Sequence, residues 1–414
     1  MSRDYSFSIK APLYDSADVV VVGGGPSGVA ASISASRCGK KVILVERSGQ
    51  LGGMATLGNV SIFMAVGNVT GIYKEILSEI VPEKLEKANP KGFAPQFNPF
   101  LLRYFLNQKL ESEKVKVLYH SDFIAPIIEN GRITGIAINT REGHKAIEGK
   151  VVIDCTGDGR VAIAAGADYR SGREEDGLTQ PMTLMFQMQN TGKPARQYLP
   201  EGCYYYKEKS DLPQGRHLYW ERNEDGTLLV NMTRVKGSGA KIDDINYAEK
   251  EALKQVFSVA NYLQRNGFEN YVLSHIGSQT GTRETNQIAG LYTLTEDDLF
   301  NARKFPDVVA QTNYEIDIHS PEGQKTCDIR VLASYDIPYR CMVPKGVEAL
   351  LVAGRAISAT HVGMSSLRVM PTCIALGQAA GAAAAIAVED ESSLSEVSSD
   401  KLHEILKNQG VVFE

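Results

Sequence analysis

The chain has 414 residues, of which 43% are hydrophobic and 22% charged, as in ordinary globular proteins. This length predicts two or three domains, or one domain that carries a large insertion. The formal net charge of −5 provides no general attraction to nucleic acid or to an anionic membrane, so neither is expected as a partner.

The six cysteines contain no C-x-x-C pair, which argues against a zinc ribbon and a dithiol redox centre. A reduced cytoplasmic location is therefore expected, and the polar N-terminal segment lacks the apolar stretch of a signal peptide. The apolar run Cys373–Val388 reads as too short and too rich in alanine to span a bilayer. No metal site is expected, because the acidic run Thr295–Asp298 is better suited to capping a helix.

The first predicted elements are a strand, a glycine turn, a helix and a second strand. Asp18–Val22 is a valine-rich buried strand, Gly28–Cys38 is a helix of small residues, and Lys41–Glu46 is a second buried strand. Together they cover about 30 residues, the length of a βαβ nucleotide-binding unit.

The turn after the first strand has the pattern G-x-G-x-x-G, formed by Gly23, Gly25 and Gly28 around Pro26 and Ser27. These glycines permit a tight turn, close approach of the backbone to a pyrophosphate, and close packing of the helix on the sheet. Glu46 follows 23 residues after Gly23, where a carboxylate can accept hydrogen bonds from ribose hydroxyls. The pattern predicts a dinucleotide and leaves NAD and FAD open.

The next segment predicts helices at Tyr73–Lys87 and Pro99–Lys114, followed by short strands that form an antiparallel meander. These strands are "VKVLYH", "FIAPIIE", "ITGIAIN", "HKAIE" and "VVIDCTG". From about Tyr169 to Asp336 the α/β pattern of strands, glycine turns and helices is no longer evident. This region contains the predicted strands "YYYKE", "HLYWER" and "LLVNMTRV" and one long helix over Ile242–Asn266.

The dinucleotide pattern returns at Ala349–Ser358, and a long helix begins near Pro371, followed by a short C-terminal helix. The first domain is therefore predicted to comprise residues 1–168 and 337–414, with residues 169–336 inserted as a second domain.

Three further motifs decide between NAD and FAD. They are "ERSGQLGGMAT", "VVIDCTGDG" and "LLVAGR". With them, residues 18–170 and 335–390 resemble FAD-containing oxidoreductases of the glutathione-reductase-like superfamily. The stretches "RETNQIAGLYTLTEDD" and "YDIPYRCMVPKGVEALLVAGRAISATHVGMSSLRVMPTCIALGQAAGAAAA" narrow the resemblance to the FAD-dependent oxidoreductase family, which is distantly similar to fumarate-reductase-type flavoproteins. The implied fold is α/β, a Rossmann-like FAD-binding domain of parallel sheet and antiparallel β-meander, with an inserted α+β substrate domain.

The resemblance also implies which residues contact FAD. The glycine turn would hold the pyrophosphate and Glu46 the ribose, while the other contacts would come from Arg47, Gly52, Gly53, Met54, Phe123, Ile124, Thr156, Gly157, Gly354 and Pro371. Arg355 departs from the superfamily pattern, which has an acid at this place, because a guanidinium donates hydrogen bonds and cannot accept them. Pro371 opens a helix whose positive end would stabilise negative charge on the reduced flavin.

Four residues are candidates for the chemistry. Arg368 is placed where fumarate-reductase-like proteins bind a substrate carboxylate, with an ion pair that holds the loop as the alternative. His361 could carry a proton over the flavin, or be a structural histidine bonded to backbone. Arg283 could face the substrate or pair with Glu284 beneath a turn, and His319 could reach the active site from the edge of the inserted domain.

The resulting hypothesis is an enzyme that moves a hydride between flavin N5 and a small organic substrate, which would be an alcohol, an amine or an activated alkene. No second glycine motif follows a strand, so NAD(P)H would bind only transiently, or another electron donor or acceptor would be the partner. The alternatives are a flavin-binding scaffold without turnover and an FAD-dependent hydroxylase that uses dioxygen. The sequence does not indicate an oligomeric state.

Overall fold

The computed structural model describes residues 5–6, 8–64, 68–81, 94–222, 225–321 and 327–414. Its strands are β1 Leu13–Val22, β2 Val42–Val45, β3 Lys116–Leu118, β4 Asp122–Glu129, β5 Arg132–Thr140, β6 Gly143–Asp154, β7 Tyr169–Ser171, β8 Phe186–Asn190, β9 Tyr219–Arg222, β10 Thr227–Val230, β11 Tyr271–Ile276, β12 Asn286–Ile288, β13 Val308–Thr312, β14 Ile316–His319, β15 Cys327–Arg330, β16 Tyr335–Pro338 and β17 Leu350–Val352. Its α-helices are α1 Pro26–Arg37, α2 Ile72–Ile80, α3 Pro99–Ser112, α4 Arg160–Ala164, α5 Ile242–Gln264, α6 Glu296–Phe300, α7 His361–Leu367, α8 Met370–Glu389 and α9 Ser399–Asn408.

The largest sheet has the order β3-β2-β1-β6-β5-β4, with β17 also paired to β6. Strands β1, β2, β3, β6 and β17 run parallel, and β4 and β5 add the antiparallel meander. This arrangement confirms the predicted α/β, Rossmann-like class. The two strands predicted separately at "HKAIE" and "VVIDCTG" form one strand, because β6 pairs with β5 through its first half and with β17 through its second.

Helices α1 and α8 pack against each other on this sheet. A Cβ at Gly377 would lie 2.0 Å from Ser27 O, and one at Gly381 would lie 2.2 Å from Ala31 O, so these glycines allow the close approach. Among the described residues α8 is the one helix long and apolar enough to cross a membrane, but its apolar window is 94% buried within the protein. Helix α8 has 20 residues and is thus longer than the apolar run Cys373–Val388 that the sequence shows. Its burial shows that it belongs to the core.

A second, antiparallel sheet has the order β11-β8-β10-β9 and packs against α5. It has its own hydrophobic core, which includes Phe186, Met188, Leu228 and Val256. The long helix predicted here is confirmed, and so are strands within "HLYWER" and "LLVNMTRV". The strand predicted at "YYYKE" is wrong, since Tyr204–Tyr206 have no strand pairing and Tyr204 and Tyr206 stack on each other instead.

The three remaining pairs, β7–β12, β13–β16 and β14–β15, are short and antiparallel. The buried apolar residues described between Ile288 and Leu332 contribute to the same hydrophobic core as the large sheet, not to the core around α5. The pair β14–β15 therefore lies beside the large sheet, where it can contribute to a site there.

Of the other predicted helices, α2 begins within one residue of its predicted start. Its predicted end falls within residues 82–93, which lie outside the described residues.

Candidate active site

A cavity lies at the carboxyl ends of β1, β2 and β6, with about 1030 Å³ of space free of protein atoms, part of which is open to solvent. Parallel α/β sheets bind their ligands at this edge. The predicted residues that line it are Gly23, Gly25, Pro26, Ser27, Glu46, Arg47, Gly53, Met54, Phe123, Thr156, Gly157, Arg355 and Arg368. Eight other predicted residues do not line it: Gly28, Gly52, Ile124, Arg283, His319, Gly354, His361 and Pro371.

The glycine turn leaves room for a ligand at one position only. A Cβ at Gly23 would lie 2.5 Å from Cys155 O, and one at Gly28 would lie 1.8 Å from Gly23 O, so both glycines are required by packing. At Gly25 the nearest atom would be Gly53 Cα at 3.9 Å, on the open side of the turn. The backbone at Gly25 is thus bare toward the cavity, as close approach of a phosphate requires.

Two helices begin at this cavity without a side-chain cap. Helix α1 follows Gly25 and helix α8 follows Val369, and neither of these N-cap residues has a side chain that accepts a hydrogen bond from the first turn. The first N–H groups of a helix carry a partial positive charge, which favours an anion. The cavity therefore has one positive helix end beside the glycine turn and another beside Met370.

Glu46 directly follows β2 and has 5% of its surface exposed. Its Oε2 accepts a hydrogen bond from the N–H of Gly24, and its Oε1 accepts one from the N–H of Ser48, both at 2.7 Å. Each carboxylate oxygen has a second lone pair, so the fixed carboxylate can still accept hydrogen bonds from two hydroxyl groups.

The loop after β6 is held by Asp154, which the sequence analysis missed. This carboxylate accepts hydrogen bonds from the N–H groups of Thr156, Val161 and Ala162, and burial raises the pKa of its carboxyl group. Beyond the loop, Arg355 donates to Asp158 Oδ1 and to Thr282 O. The Nε atom of Arg355 is buried and has no partner in the described part of the chain, so the side chain retains a donor at the cavity wall.

Three arginines cluster next to the cavity, where α8 begins. Arg368 lines the cavity and donates from Nη2 to Asp317 O at 3.0 Å and to Asp317 Oδ2 at 3.2 Å. Arg283 donates to Pro181 O and Thr183 Oγ1. Burial, together with the charge of Arg368, lowers the pKa of Arg283 to about 10. The alternative that Arg283 pairs with Glu284 is wrong, because the two side chains bind different partners.

Arg234 is the third member of this arginine cluster, and 8% of its surface is exposed. Its Nη1 donates to Thr183 Oγ1, Asn231 Oδ1 and Thr233 O. Burial, and next the charge of Arg283, lowers the pKa of the Arg234 guanidinium. In the sequence Arg234 stands within "LLVNMTRV", Leu228–Val235, a pattern that predicts only a strand.

His319 faces the arginine cluster. Burial, followed by the charges of Arg283, Arg234 and Arg368, lowers the pKa of its imidazole well below the usual value. Its ring is therefore neutral near pH 7. Asp317, whose Oδ1 lies 3.6 Å from His319 Nε2, is the carboxylate beside this cluster in the described part of the chain.

Asp317, His319 and Cys327 are also the described residues whose potential metal-ligating atoms lie together, within 4.8 Å of one another. The thiol of Cys327 donates to Asp317 Oδ1, and burial raises the pKa of that thiol to about 12. A bound cation would have to displace this hydrogen bond beside the positive charges of Arg283 and Arg368. The acidic run at Thr295 forms a helix capping box, in which Asp298 accepts from the N–H of Thr295.

His361 lies at the start of α7, and its Nδ1 is 2.7 Å from Oε1 of Glu284. Glu284 is 1% exposed, and its Oε2 accepts a hydrogen bond from the N–H of Gln180. The partner of His361 is thus a carboxylate, whereas the structural alternative required a backbone group. The side-chain oxygen of Gln180 also accepts a hydrogen bond from the backbone N–H of His319, so the two histidines belong to one hydrogen-bonded network.

The comparisons with known proteins identify the family. A sequence model described as FAD dependent oxidoreductase matches residues 18–406. The chain belongs to this family. It is an FAD-dependent oxidoreductase, and its cofactor is FAD.

Relatives of this oxidoreductase match over parts of their lengths. It is 29% identical over 153 residues to a mitochondrial dihydrolipoyl dehydrogenase of Dictyostelium discoideum, a match that covers 34% of this chain and 29% of the relative. It is 32% identical over 123 residues to a thiamine thiazole synthase of Aeropyrum pernix, covering 30% of this chain and 43% of the relative. The oxidoreductase thus spans less than half the length of either relative.

A solved structure supports the fold over most of the chain. A geranylgeranyl bacteriochlorophyll reductase-like protein of Thermoplasma acidophilum superposes with a TM-score of 0.51 and 15% sequence identity. The superposition covers 96% of this chain and 84% of that one. The oxidoreductase shares its fold.

Proposed function

We propose that this FAD-dependent oxidoreductase transfers a hydride between flavin N5 and a small organic substrate that lies against the arginine cluster. The observation that supports this proposal is the position of Arg368. It lines the cofactor cavity next to the start of α8, and it contacts Asp317 in the cluster. A substrate held there would be adjacent both to the cofactor and to the titratable groups.

The residues present fit FAD. The bare turn at Gly25 and the uncapped start of α1 suit the pyrophosphate, and the fixed carboxylate of Glu46 suits the ribose. Arg355 would donate to a ribityl hydroxyl or a phosphate, and the start of α8 would face the flavin. When bound, FAD supplies the two-electron chemistry that no side chain offers.

The chain itself binds and orients the substrate. Arg283 and Arg368 would hold an anionic or carbonyl group, since charge-assisted hydrogen bonds are the stronger ones. His319 is neutral and could accept the proton that accompanies hydride transfer from an alcohol or amine, although burial and the three arginines make it a weak base. His361 is the better positioned candidate for this role, because the carboxylate of Glu284 fixes the orientation of its ring.

The test is anaerobic. FAD-loaded protein is mixed with hydroxy acids, amino acids and alcohols, and loss of the oxidised flavin absorbance is followed. Photoreduced protein is mixed with enoates, and recovery of that absorbance is followed. We expect one group of compounds to change the flavin, with a rate that falls when the transferred hydrogen is deuterium. The Gly25→Val variant, which should lack FAD, is the control. Failure of the entire panel in both directions would contradict the proposal.

A further inference from the structure

Arg234 has one edge of its guanidinium without a partner. The two N–H groups of its Nη1 are shared among three acceptors, but Nε and Nη2 are both buried and have no acceptor among the described residues. Nε and Nη2 share one edge of the planar group, so their N–H bonds point the same way. A buried charged donor without an acceptor is costly, and native structures rarely keep one without a use.

The protein shows what fits such an edge. Arg173 donates from Nε and Nη2 to the two carboxylate oxygens of Asp176, at 2.8 and 2.7 Å. Arg330 binds Asp328 and Arg340 binds Asp307 with the same pair of atoms. The partner in each of these three pairs is a carboxylate. At Arg234 the same two donors are present, and no carboxylate of the described residues pairs with them.

The charges around Arg234 also lack compensation. Arg234 and Arg283 donate to the same hydroxyl, Thr183 Oγ1, at 3.0 and 2.6 Å, which fixes the two guanidinium groups side by side. Asp317 is paired with Arg368. In the described part of the chain, three arginines thus face one carboxylate, and an added anion would reduce their mutual repulsion.

A further donor belongs to the same network. The side-chain nitrogen of Gln180 is buried and has no acceptor among the residues that the structure describes, while its side-chain oxygen accepts a hydrogen bond from the backbone N–H of His319. The cluster is also next to the cofactor, since Thr282, immediately before Arg283, and Arg368 both line the cofactor cavity. A ligand bound at the arginine cluster would therefore lie beside the cofactor cavity.

We propose that Arg234 binds a carboxylate group of the substrate through Nε and Nη2, so that the substrate of this oxidoreductase is a carboxylic acid. The proposal rests on the function proposed above in one respect, that the molecule bound at the cluster is the substrate. The inserted segment that carries Arg234 then selects the substrate by its charge, while Arg368 holds the part closer to the flavin.

The first experiment measures binding without turnover. FAD-loaded protein is titrated with malonate, succinate and benzoate, and the change in the flavin absorbance spectrum gives Kd. Succinamide and inorganic phosphate are titrated in parallel. We expect the carboxylates to bind and succinamide not to bind. Binding of phosphate alone, or of no carboxylate at all, would overturn the proposal.

The matched variants are Arg234→Met, Arg234→Lys and Arg330→Met. Arg330 is an exposed arginine whose guanidinium group is already paired with the carboxylate of Asp328. We expect Arg234→Met to weaken carboxylate binding about 10- to 100-fold, because two charge-assisted hydrogen bonds are lost. Arg234→Lys should lose most of the affinity as well, since an ammonium group cannot donate two parallel hydrogen bonds to one carboxylate. Arg330→Met should bind as the unmodified protein does, and equal binding by all four proteins would overturn the assignment.

Thermal unfolding provides a second readout. Without ligand, Arg234→Met should have a Tm equal to or above that of the unmodified protein, because it removes an unpaired buried charge. Succinate should raise the Tm of the unmodified protein and of Arg330→Met, but not that of Arg234→Met. A lower Tm for ligand-free Arg234→Met, with unchanged succinate binding, would show that the arginine has a structural role and would refute the proposal.

The two proposals fail in different ways. If carboxylates bind through Arg234 but exchange no hydride with the flavin, the proposed function is wrong and the carboxylate site stands. If uncharged compounds reduce the flavin and Arg234→Met leaves their kcat/KM unchanged, the carboxylate assignment is wrong and the proposed function stands.

Discussion

His361 Nδ1 lies 2.7 Å from Glu284 Oε1, although the two residues are 77 positions apart in the chain. Glu284 is almost completely buried, and its other oxygen accepts a hydrogen bond from the N–H of Gln180. The carboxylate is therefore fixed on both sides, and it fixes the orientation of the imidazole. If His361 carries the proton, Glu284 is its positioning residue.

A double-mutant cycle tests this pairing. His361→Gln and Glu284→Gln should each lower the rate of flavin reduction by substrate, by about 100-fold, because a positioned general base is lost. The double variant should be no slower than the slower single variant, since both changes remove one unit. FAD content should stay unchanged, because neither residue lines the cofactor cavity.

Thr360→Ala is the control for this cycle. Thr360 caps α7 by accepting a hydrogen bond from the N–H of Gly363, so its loss should cost about 1 kcal/mol of stability. The rate of flavin reduction should be retained. Normal rates in both His361→Gln and Glu284→Gln would assign the pair a structural role and leave His319 as the proton carrier.

The glycine turn gives a prediction about cofactor loading. Gly25 has φ −73°, which any residue adopts, and its Cβ would point into open space. Gly25→Val should therefore fold with a free energy of unfolding within about 1 kcal/mol of the original, measured without FAD. Its side chain would occupy the approach of the pyrophosphate, so FAD content should fall at least about tenfold.

Gly28→Ala is the comparison for Gly25→Val. A Cβ at Gly28 would lie 1.8 Å from Gly23 O, a clash between backbone segments that cannot relax cheaply. This variant should therefore have a lower free energy of unfolding even without FAD. Flavin absorbance and urea unfolding separate the two outcomes, and a Gly25→Val variant that keeps its full FAD content would refute the placement of the pyrophosphate.

The cofactor half of the protein could be predicted from sequence because its signals are local. The valines of β1, the glycine turn and the small residues of α1 all lie within 25 residues and serve one ligand. The long helix α5 was similarly evident from its own periodicity. Strand β6 was divided wrongly, because Gly149 interrupts its apolar pattern while the backbone continues.

The substrate side could not be predicted in the same way, because its contacts join distant parts of the chain. Arg368 meets Asp317 across 51 residues, and Arg234 meets Thr183 across 51 residues. Neither Asp317 nor Arg234 stands in a motif. What makes Arg234 notable is its unpaired edge, and that property exists only after the side chains around it are placed.

The second core gives a prediction about substrate choice. Residues 182–276 include the second sheet, α5 and Arg234, and they have a hydrophobic core separate from that of the large sheet. Replacing this segment by that of a relative should change the preferred substrate while FAD content remains the same. Substrate preference is measured as kcat/KM over a panel of acids. An unchanged preference with full FAD content would show that specificity comes from the remainder of the chain.

The last prediction concerns the ion pair between Arg368 and Asp317 and its dependence on pH. Burial raises the pKa of the Asp317 carboxyl group, but the charge of Arg368, the Cys327 thiol and Arg283 together hold that pKa below its usual value. A carboxyl group with a lowered folded pKa stabilises the fold above its unfolded pKa near 4, and this contribution is lost as the pH falls through the folded pKa. The pair therefore contributes its full stability at neutral pH.

Arg368→Met removes the main favourable charge, so the pKa of Asp317 should rise and its ionised form should become a penalty. The expected loss is about 3 kcal/mol in the free energy of unfolding at neutral pH, as for a buried pair that loses one partner. The loss should be smaller at about pH 5, where protonation of the carboxyl group relieves it. The double variant Arg368→Met, Asp317→Asn should recover part of the stability at neutral pH, because the carboxylate that lost its main partner is then replaced by a neutral amide. It should not recover the rate of flavin reduction, since Arg368 is proposed to contact the substrate. Urea unfolding at the two pH values and stopped-flow flavin reduction measure both effects. A pH-independent loss of stability would show that the packing of Arg368, rather than its charge, holds this part of the fold together.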